Sequence, residues 1–294
     1  MKKHFDFLIL AMATALAITT TLTACGPGSE DSSLSLNAND SSGVINGTKV
    51  TARRDDGSRG VVLFQPVNSI GMATGICTAT LLSDHSFLTA AHCFDKKKTP
   101  SLSRFKIIFA NEKGLFTDRE HQRSGSQIVI HPQFRKTKVG LLNDVAVGFF
   151  EGGIPAGFEP IEIERDQNKN YQNQFLNIFG YGKTKDSAEI FAIGYGSAGE
   201  LRKAVVKLNG AYGLMQDRYA ILSNGNTQFI CSGDSGSGQF VNVNGVPRLI
   251  GVTSSVTGIK KFAGHVSCTQ GRSTAMKVSY FAKWIDEVHE AARR

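Results

Sequence analysis

Several things are scarce in this sequence. Its five cysteines form no CxxC and no paired CxxH spacing, which argues against a zinc ribbon or finger. Beyond residue 24 no stretch approaches about 18 uninterrupted apolar residues, so the body of the chain carries no candidate membrane-spanning helix. The basic residues come as short doublets and triplets, Arg53-Arg54, Lys96 to Lys98, Arg202-Lys203, Lys260-Lys261 and Arg293-Arg294, with no aromatics interleaved. A nucleic-acid site wants a denser patch, and these read as solvated loops. Helical periodicity is nearly absent too. Only the end has it, where Phe281, Trp284, Ile285 and Val288 recur at i, i+3, i+4 and i+7, with Ser279 as the expected N-cap of a helix over 280–291. An alternating strand–helix fold is thereby excluded.

What remains is short and β-type. With 294 residues, 41% of them hydrophobic, and 31 glycines, the chain buries a sizeable core and makes many turns. Runs of four to eight residues rich in Val, Ile and Phe, bounded by Gly, Asn, Asp or Pro, predict strands at 60–65, 77–82, 87–90, 105–110, 127–130 and 145–150. A second set follows at 175–179, 201–208, 219–222, 238–243, 248–254 and 274–278. Between the sets, residues 159–171 are polar and charged and suit a crossing linker. The fold class is all-β, barrel or sandwich.

The first 43 residues are of another kind. Lys2 and Lys3 precede an apolar run over 7–18, then small residues lead to Leu22-Thr23-Ala24-Cys25. That is the charge, apolar core and small-residue exit of an export signal spanning 1–24. The LTAC tetrapeptide resembles the bacterial lipobox, in which Cys25 would carry a lipid anchor. Residues 25–43 are Ser, Asn, Asp and Gly with almost nothing apolar, too polar to build a core, and form a tether. The chain carries 33 Lys and Arg against 25 Asp and Glu; its first 43 residues hold two of the former and four of the latter. The body is therefore more basic than the +8 of the whole chain, and is attracted to anionic surfaces.

Three short segments carry chemistry. Residues 229–238 read FICSGDSGSG, residues 89–93 read TAAHC with Cys77 fifteen residues before His92, and residues 143–147 read NDVAV. A Gly/Ser/Asp cluster alone is as readily a surface turn, a lone His a satisfied core side chain, and a lone Asp a turn carboxylate. Jointly they supply a nucleophile, a base and an acid that fixes the tautomer of the base. The order His92, Asp144, Ser235 in these contexts resembles the chymotrypsin/trypsin-like serine peptidase family. The likeness extends to VINGT at 44–48, IHPQF at 130–134, FGYGKT at 179–184 and VSYFAKWI at 278–285. The α/β hydrolases run Ser, Asp, His in sequence and need alternating helices, so both order and strand pattern argue against them.

The resemblance implies two six-stranded antiparallel β-barrels and a C-terminal helix, divided at 44–165 and 166–294. It implies a catalytic triad of His92, Asp144 and Ser235, and an oxyanion hole from the N–H groups of Gly233 and Ser235. Four cysteines allow three connectivities; the resemblance implies Cys77–Cys93 and Cys231–Cys268, which export makes chemically reasonable. It implies a precursor activated by a cut between Gly43 and Val44, whose new ammonium pairs with Asp234. The specificity pocket would be formed by Phe229, Ser254 and Val256. Phe229 stands where trypsin-like enzymes have an acid, Val256 replaces a rim glycine as in elastase-like members, Ser255 stands where tryptophan is common, and Ser237-Gly238 replaces Gly-Pro. A pocket of this kind prefers small or medium apolar residues before the scissile bond, because a buried cation would find no partner. The expected partners are polypeptide substrates, a proteinaceous inhibitor and, before processing, a membrane through the lipid; no cofactor, metal or nucleic acid is called for, and the chain is expected to be a monomer. Localisation is expected to be export to an outer-membrane or cell-surface lipoprotein, released by the cut at Val44. The alternative is a catalytically weak peptidase-like module that binds surfaces through its charge.

Overall fold

The computed structural model describes residues 44–94, 104–111, 120–125, 127–138, 140–186, 198–211, 218–221, 228–257 and 267–293. The export signal, Cys25, the tether and Gly43 lie outside the described residues. Sixteen strands and one α-helix are formed among those that are described.

The first strand, β1 (Thr48–Lys49), is separated from its sheet partners by most of the chain. After it come β2 (Val61–Val67), β3 (Cys77–Ser83), β4 (Ser86–Thr89), β5 (Arg104–Ile108), β6 (Gln122–Gly125), β7 (Gln127–Ile130), β8 (Arg135–Thr137), β9 (Gly140–Leu142) and β10 (Ala146–Phe149). Seven of these form one antiparallel sheet in the order β6-β5-β2-β3-β4-β10-β7. Only residue 126 separates β6 from β7, so this segment pairs with β5 at one end and with β10 at the other, and the sheet returns on itself. Counted as one strand, β6–β7 makes this the first six-stranded barrel. β8 and β9 form a small separate hairpin.

The second half contributes β11 (Phe175–Gly180), β12 (Arg202–Ala211), β13 (Arg218–Ile221), β14 (Gly238–Val243), β15 (Val246–Thr257) and β16 (Arg272–Lys277). Their order is β12-β11-β14-β15-β16-β13, and β13 pairs back onto β12 to close a second six-stranded barrel. β1 pairs with β12 at the end that β13 leaves free, with Thr48 opposite Lys203 and Lys49 opposite Arg202. α1 (Val278–Ala292) follows β16 directly.

The pleat of β2 explains how the barrels meet. All seven of its residues are buried, although a strand with one wet face would alternate. Val62 and Phe64 point into the first barrel with Ala79, Leu81, Phe87 and Phe105. Val61 and Leu63 point the other way, into a shared layer with Phe240, Leu249, Met276 and Phe281. A third cluster, with Leu176, Ile178, Val206 and Ile250, fills the second barrel. Residues 159–171, read as polar, bury Ile161, Ile163, Glu164 and Tyr171. Ile161 N–H donates to Leu81 and Glu164 N–H to Leu249, so this crossing binds both barrels.

The helix departs from expectation at its start. It begins at Val278 with Lys277 in the capping position and no side-chain cap, whereas Ser279 had been expected there. Ser279 is 1% exposed and its Oγ has no hydrogen-bond partner among the described residues. Burial of Val278, Phe281 and Ile285 pulls the helix up to the end of β16, and Ser279 is carried inside with them.

Candidate active site

Asp144 sits just ahead of β10, after a left-handed Asn143 with φ 50°. Asparagine is one of the few side-chain-bearing residues that adopt that conformation, and its Nδ2 donates to the Gln133 carbonyl, ten positions away, at 3.1 Å. The tight turn is closed by Val145 N–H donating to the Asn143 carbonyl at 2.9 Å. The Asp144 carboxylate is fully buried. Three donors compensate it: His92 N–H at 2.8 Å, His92 Nδ1 at 2.7 Å and Ser254 Oγ at 2.5 Å. With Nδ1 donating to the carboxylate, the Nε2 lone pair faces Ser235 Oγ at 2.9 Å. His92 itself lies on the short 3-10 turn Ala91–Phe94 that follows β4, and Cys93 beside it is bonded to Cys77 on β3.

Ser235 lies on a turn that only glycine fits. Gly233 has φ 100° and Gly236 φ 84°. A Cβ on Gly236 would sit 2.1 Å from Thr89 Oγ1 and 2.2 Å from the Thr78 carbonyl. The turn is tied to both barrels: Thr78 N–H donates to the Ser235 carbonyl, Thr78 Oγ1 to the Gly233 carbonyl, and Gly236 N–H to the Thr253 carbonyl. The N–H groups of Gly233 and Ser235 meet no acceptor among the described residues.

Asp234, between them, points inward and is fully buried. It accepts from Cys231 N–H at 2.9 Å and Gly182 N–H at 2.8 Å. Gly180 and Gly182 make its niche, since a Cβ on Gly180 would lie 2.0 Å from its Oδ1. Desolvation pushes its carboxyl up to about 7, against the pull of the two backbone donors. Val44 is also fully buried, among Tyr171, Leu176, Ile178 and Ile230. Its nitrogen is a peptide nitrogen in the uncut chain, and among the described residues Asp234 has no ion-pair partner.

A cleft of about 360 Å³ opens beside Ser235. One wall is Ile230, Cys231 and Ser232, and the other is residues 253–256. Cys268, bonded to Cys231, and Leu141 on β9 also line it. Val256 lines this cleft. Phe229 is not among the described residues that line it. Its backbone pairs with Ile45 and its side chain packs with Ile45, Cys231 and Cys268, so Ile230 is the apolar liner instead. Ser254 was expected as pocket wall only; its hydroxyl is committed to Asp144. No local signal in the sequence marks that bond, because the two residues are 110 positions apart.

Among the described residues no group of three or more His, Cys, Asp or Glu is placed to hold a metal ion, and no helix is long and apolar enough to cross a membrane.

Comparison with known proteins gives a consistent family. The family model described as Trypsin matches residues 54–285. The chain is similar to urokinase-type plasminogen activator of Gallus gallus, 27% identical over 244 residues, covering 76% of this chain and 52% of that protein. It thus spans about half the length of that relative. It is also similar to chymotrypsin-like elastase family member 1 of Felis catus, 25% identical over 225 residues, covering 72% of this chain and 78% of that one. Among solved structures, a scabies mite inactivated protease paralogue shares the fold with a TM-score of 0.62 at 18% identity, covering 84% of this chain and 98% of that one.

Proposed function

Because this chain belongs to the trypsin family of serine proteases, we propose that it is a serine endopeptidase working through His92, Asp144 and Ser235. The observation that carries this reading is the continuous hydrogen-bond path from buried Asp144 through His92 to Ser235 Oγ, with spans of 2.7 and 2.9 Å. Ser235 Oγ attacks the peptide carbonyl and its proton passes to His92 Nε2. Asp144 holds the ring and stabilises the imidazolium. The N–H groups of Gly233 and Ser235 bind the oxyanion, each worth about 3 kcal/mol in the transition state. His92 then returns the proton to the leaving amine, and a water repeats the sequence on the acyl-enzyme. No cofactor enters.

The cleft beside Ser235 takes a small or medium apolar side chain before the scissile bond. Ile230 and Val256 support this preference, and no carboxylate lines the cleft among the described residues to receive Lys or Arg. The substrate is a polypeptide; a proteinaceous inhibitor would occupy the same cleft, and the enzyme acts as a monomer.

The leader, the LTAC site at Cys25 and the polar tether support an exported lipoprotein that stays at the cell surface until cut at Gly43–Val44. The cut makes Val44 an ammonium, and the buried carboxylate of Asp234, which has no ion-pair partner among the described residues, is the group that needs one. That pair would lock Asp234 beneath the Gly233 turn and hold the oxyanion donors in place, and on this reading the precursor is a zymogen.

Exposure of the processed protein to a serine-reactive organophosphonate, followed by casein and small-ester digestion, tests the reading. Wild type is expected to be labelled and active, and Ser235→Ala to be folded, unlabelled and inactive, with a loss of at least about 10⁴-fold in kcat. Casein turnover by Ser235→Ala at the wild-type rate would overturn it. A folded, processed wild type that resists labelling but binds anionic vesicles would favour a surface-binding module. Peptide-library digests read the pocket: dominant cleavage after Lys or Arg would refute the apolar preference.

A further inference from the structure

The residues that follow β11, Tyr181 to Asp186, touch the site at two points. At one end Gly182 N–H donates to Asp234 Oδ1 at 2.8 Å and Lys183 N–H to the Ser232 carbonyl at 2.8 Å. At the other, the Asp186 carboxylate gathers four donors from three consecutive residues. Cys268 N–H donates to Oδ1 at 3.0 Å; Ser267 Oγ at 2.7 Å, Thr269 Oγ1 at 2.6 Å and Thr269 N–H at 3.4 Å all donate to Oδ2. Ser267 is fully buried and Cys268 nearly so, and Cys268 is the disulfide-bonded residue that lines the substrate cleft.

A carboxylate suits this cluster for a chemical reason. It accepts at both oxygens, and bonds to an ionised acceptor are about twice as strong as neutral ones. An asparagine would offer one acceptor oxygen and turn an NH2 toward a donor. The arrangement leaves the Cys268 wall with two attachments, the disulfide to Cys231 and the clasp on Asp186.

We propose that Asp186 is a positioning residue for substrate selection: its carboxylate holds the Cys268 wall in register with the nucleophile turn and thereby sets the fit of the side chain before the scissile bond. This rests on the peptidase reading above. Asp186 touches neither the substrate nor the reacting atoms, so its loss should degrade the pocket and leave the triad and oxyanion donors working.

Two aryl phosphonates that differ only in the group standing for that side chain, methyl or isobutyl, test it. In both, Ser235 Oγ displaces the aryloxide from phosphorus while its proton passes to His92. In processed full-length protein, Asp186→Ala is expected to keep the methyl reagent's rate within about twofold and to lower the isobutyl reagent's rate about tenfold or more. KM for peptide substrates should rise correspondingly with kcat nearly unchanged. Asp186→Asn and Thr269→Val, which remove part of the clasp, should give the same selective loss at smaller size, and they carry the test if Asp186→Ala does not fold. Equal losses with both reagents, or no loss with either, in folded variants would overturn the role of Asp186. A folded, processed wild type unlabelled by both would instead overturn the peptidase reading itself.

Discussion

Asp234 is the side chain whose surroundings depart furthest from what it needs. It has two backbone donors, no cation among the described residues and no exposure, and its carboxyl is pushed up to about 7 from an ordinary value of 3.8. Between those two pH values the folded uncut chain holds a proton that the unfolded chain has released. Asp234 therefore favours folding fully below about pH 4, and this contribution is lost as pH rises through about 7. Half-buried His131 and His289, whose pKa values burial lowers, act in the opposite direction near neutrality, so the comparison must be with a variant. In a Ser235→Ala background, which prevents self-cleavage, the stability of the Asp234 protein relative to Asp234→Asn should fall by up to about 4 kcal/mol from pH 4 to pH 8. Denaturant melts at several pH values read this, and a difference independent of pH would refute it. His92, Asp144 and Ser235, which hydrogen bonds join in sequence, could be singled out beforehand because each sits in a short local context, TAAHC, NDVAV or GDSG. The bonds that Ser254 and Asp186 make could not be, since their partners lie 110 and about 80 positions away and only folding brings them together.

At the scale of elements, strands with apolar alternation were readable and those without it were not. β7 and β14 occupy the expected residues, because both are bounded by turn formers. β2 was expected to stop at Gln65, since Pro66 has no N–H for a ladder. It continues to Val67 because its register with β3 ends at Phe64 and Cys77; β5 pairs along one edge, and on the other Pro66 serves only as an acceptor, from Thr74 N–H. β1, β6 and β8 are short and polar, and their extended form comes from the strands they join. The cap of α1 was misread for a related reason: sequence marks serine as a capping residue, but the demand for burial decides where the helix starts. A buried hydroxyl without a partner costs free energy, so Ser279→Ala should be neutral or stabilise the protein by about 1 kcal/mol. A capping serine would show the reverse in thermal melts, a loss of about 1 kcal/mol.

For the whole molecule, the two barrels and the terminal helix follow from pattern and resemblance, while the pairing of distant segments is the part that only the fold supplies. The activation scheme belongs at this scale, because it joins the leader, the tether and the site. N-terminal sequencing of active material is expected to find Val44 first; full activity in a chain that still begins at Cys25 would refute the scheme. In the cut protein the new ammonium should also reverse the behaviour of Asp234, drawing its pKa down so that stability is lost as pH falls instead of as it rises. The placement of β1 adds a matter of timing. The residues just after Gly43 belong by sequence to the first half, yet Thr48 and Lys49 pair with Lys203 and Arg202, and Ile45 with Phe229. A chain leaving a translocation channel amino terminus first delivers the whole first barrel while Val44 to Lys49 still has no neighbour. That leading segment must wait for the trailing half to arrive, which brings Ser235 with it. Under the proposed export and activation, emergence order alone would place the pairing of the leading segment after the arrival of Ser235, a delay set by the topology.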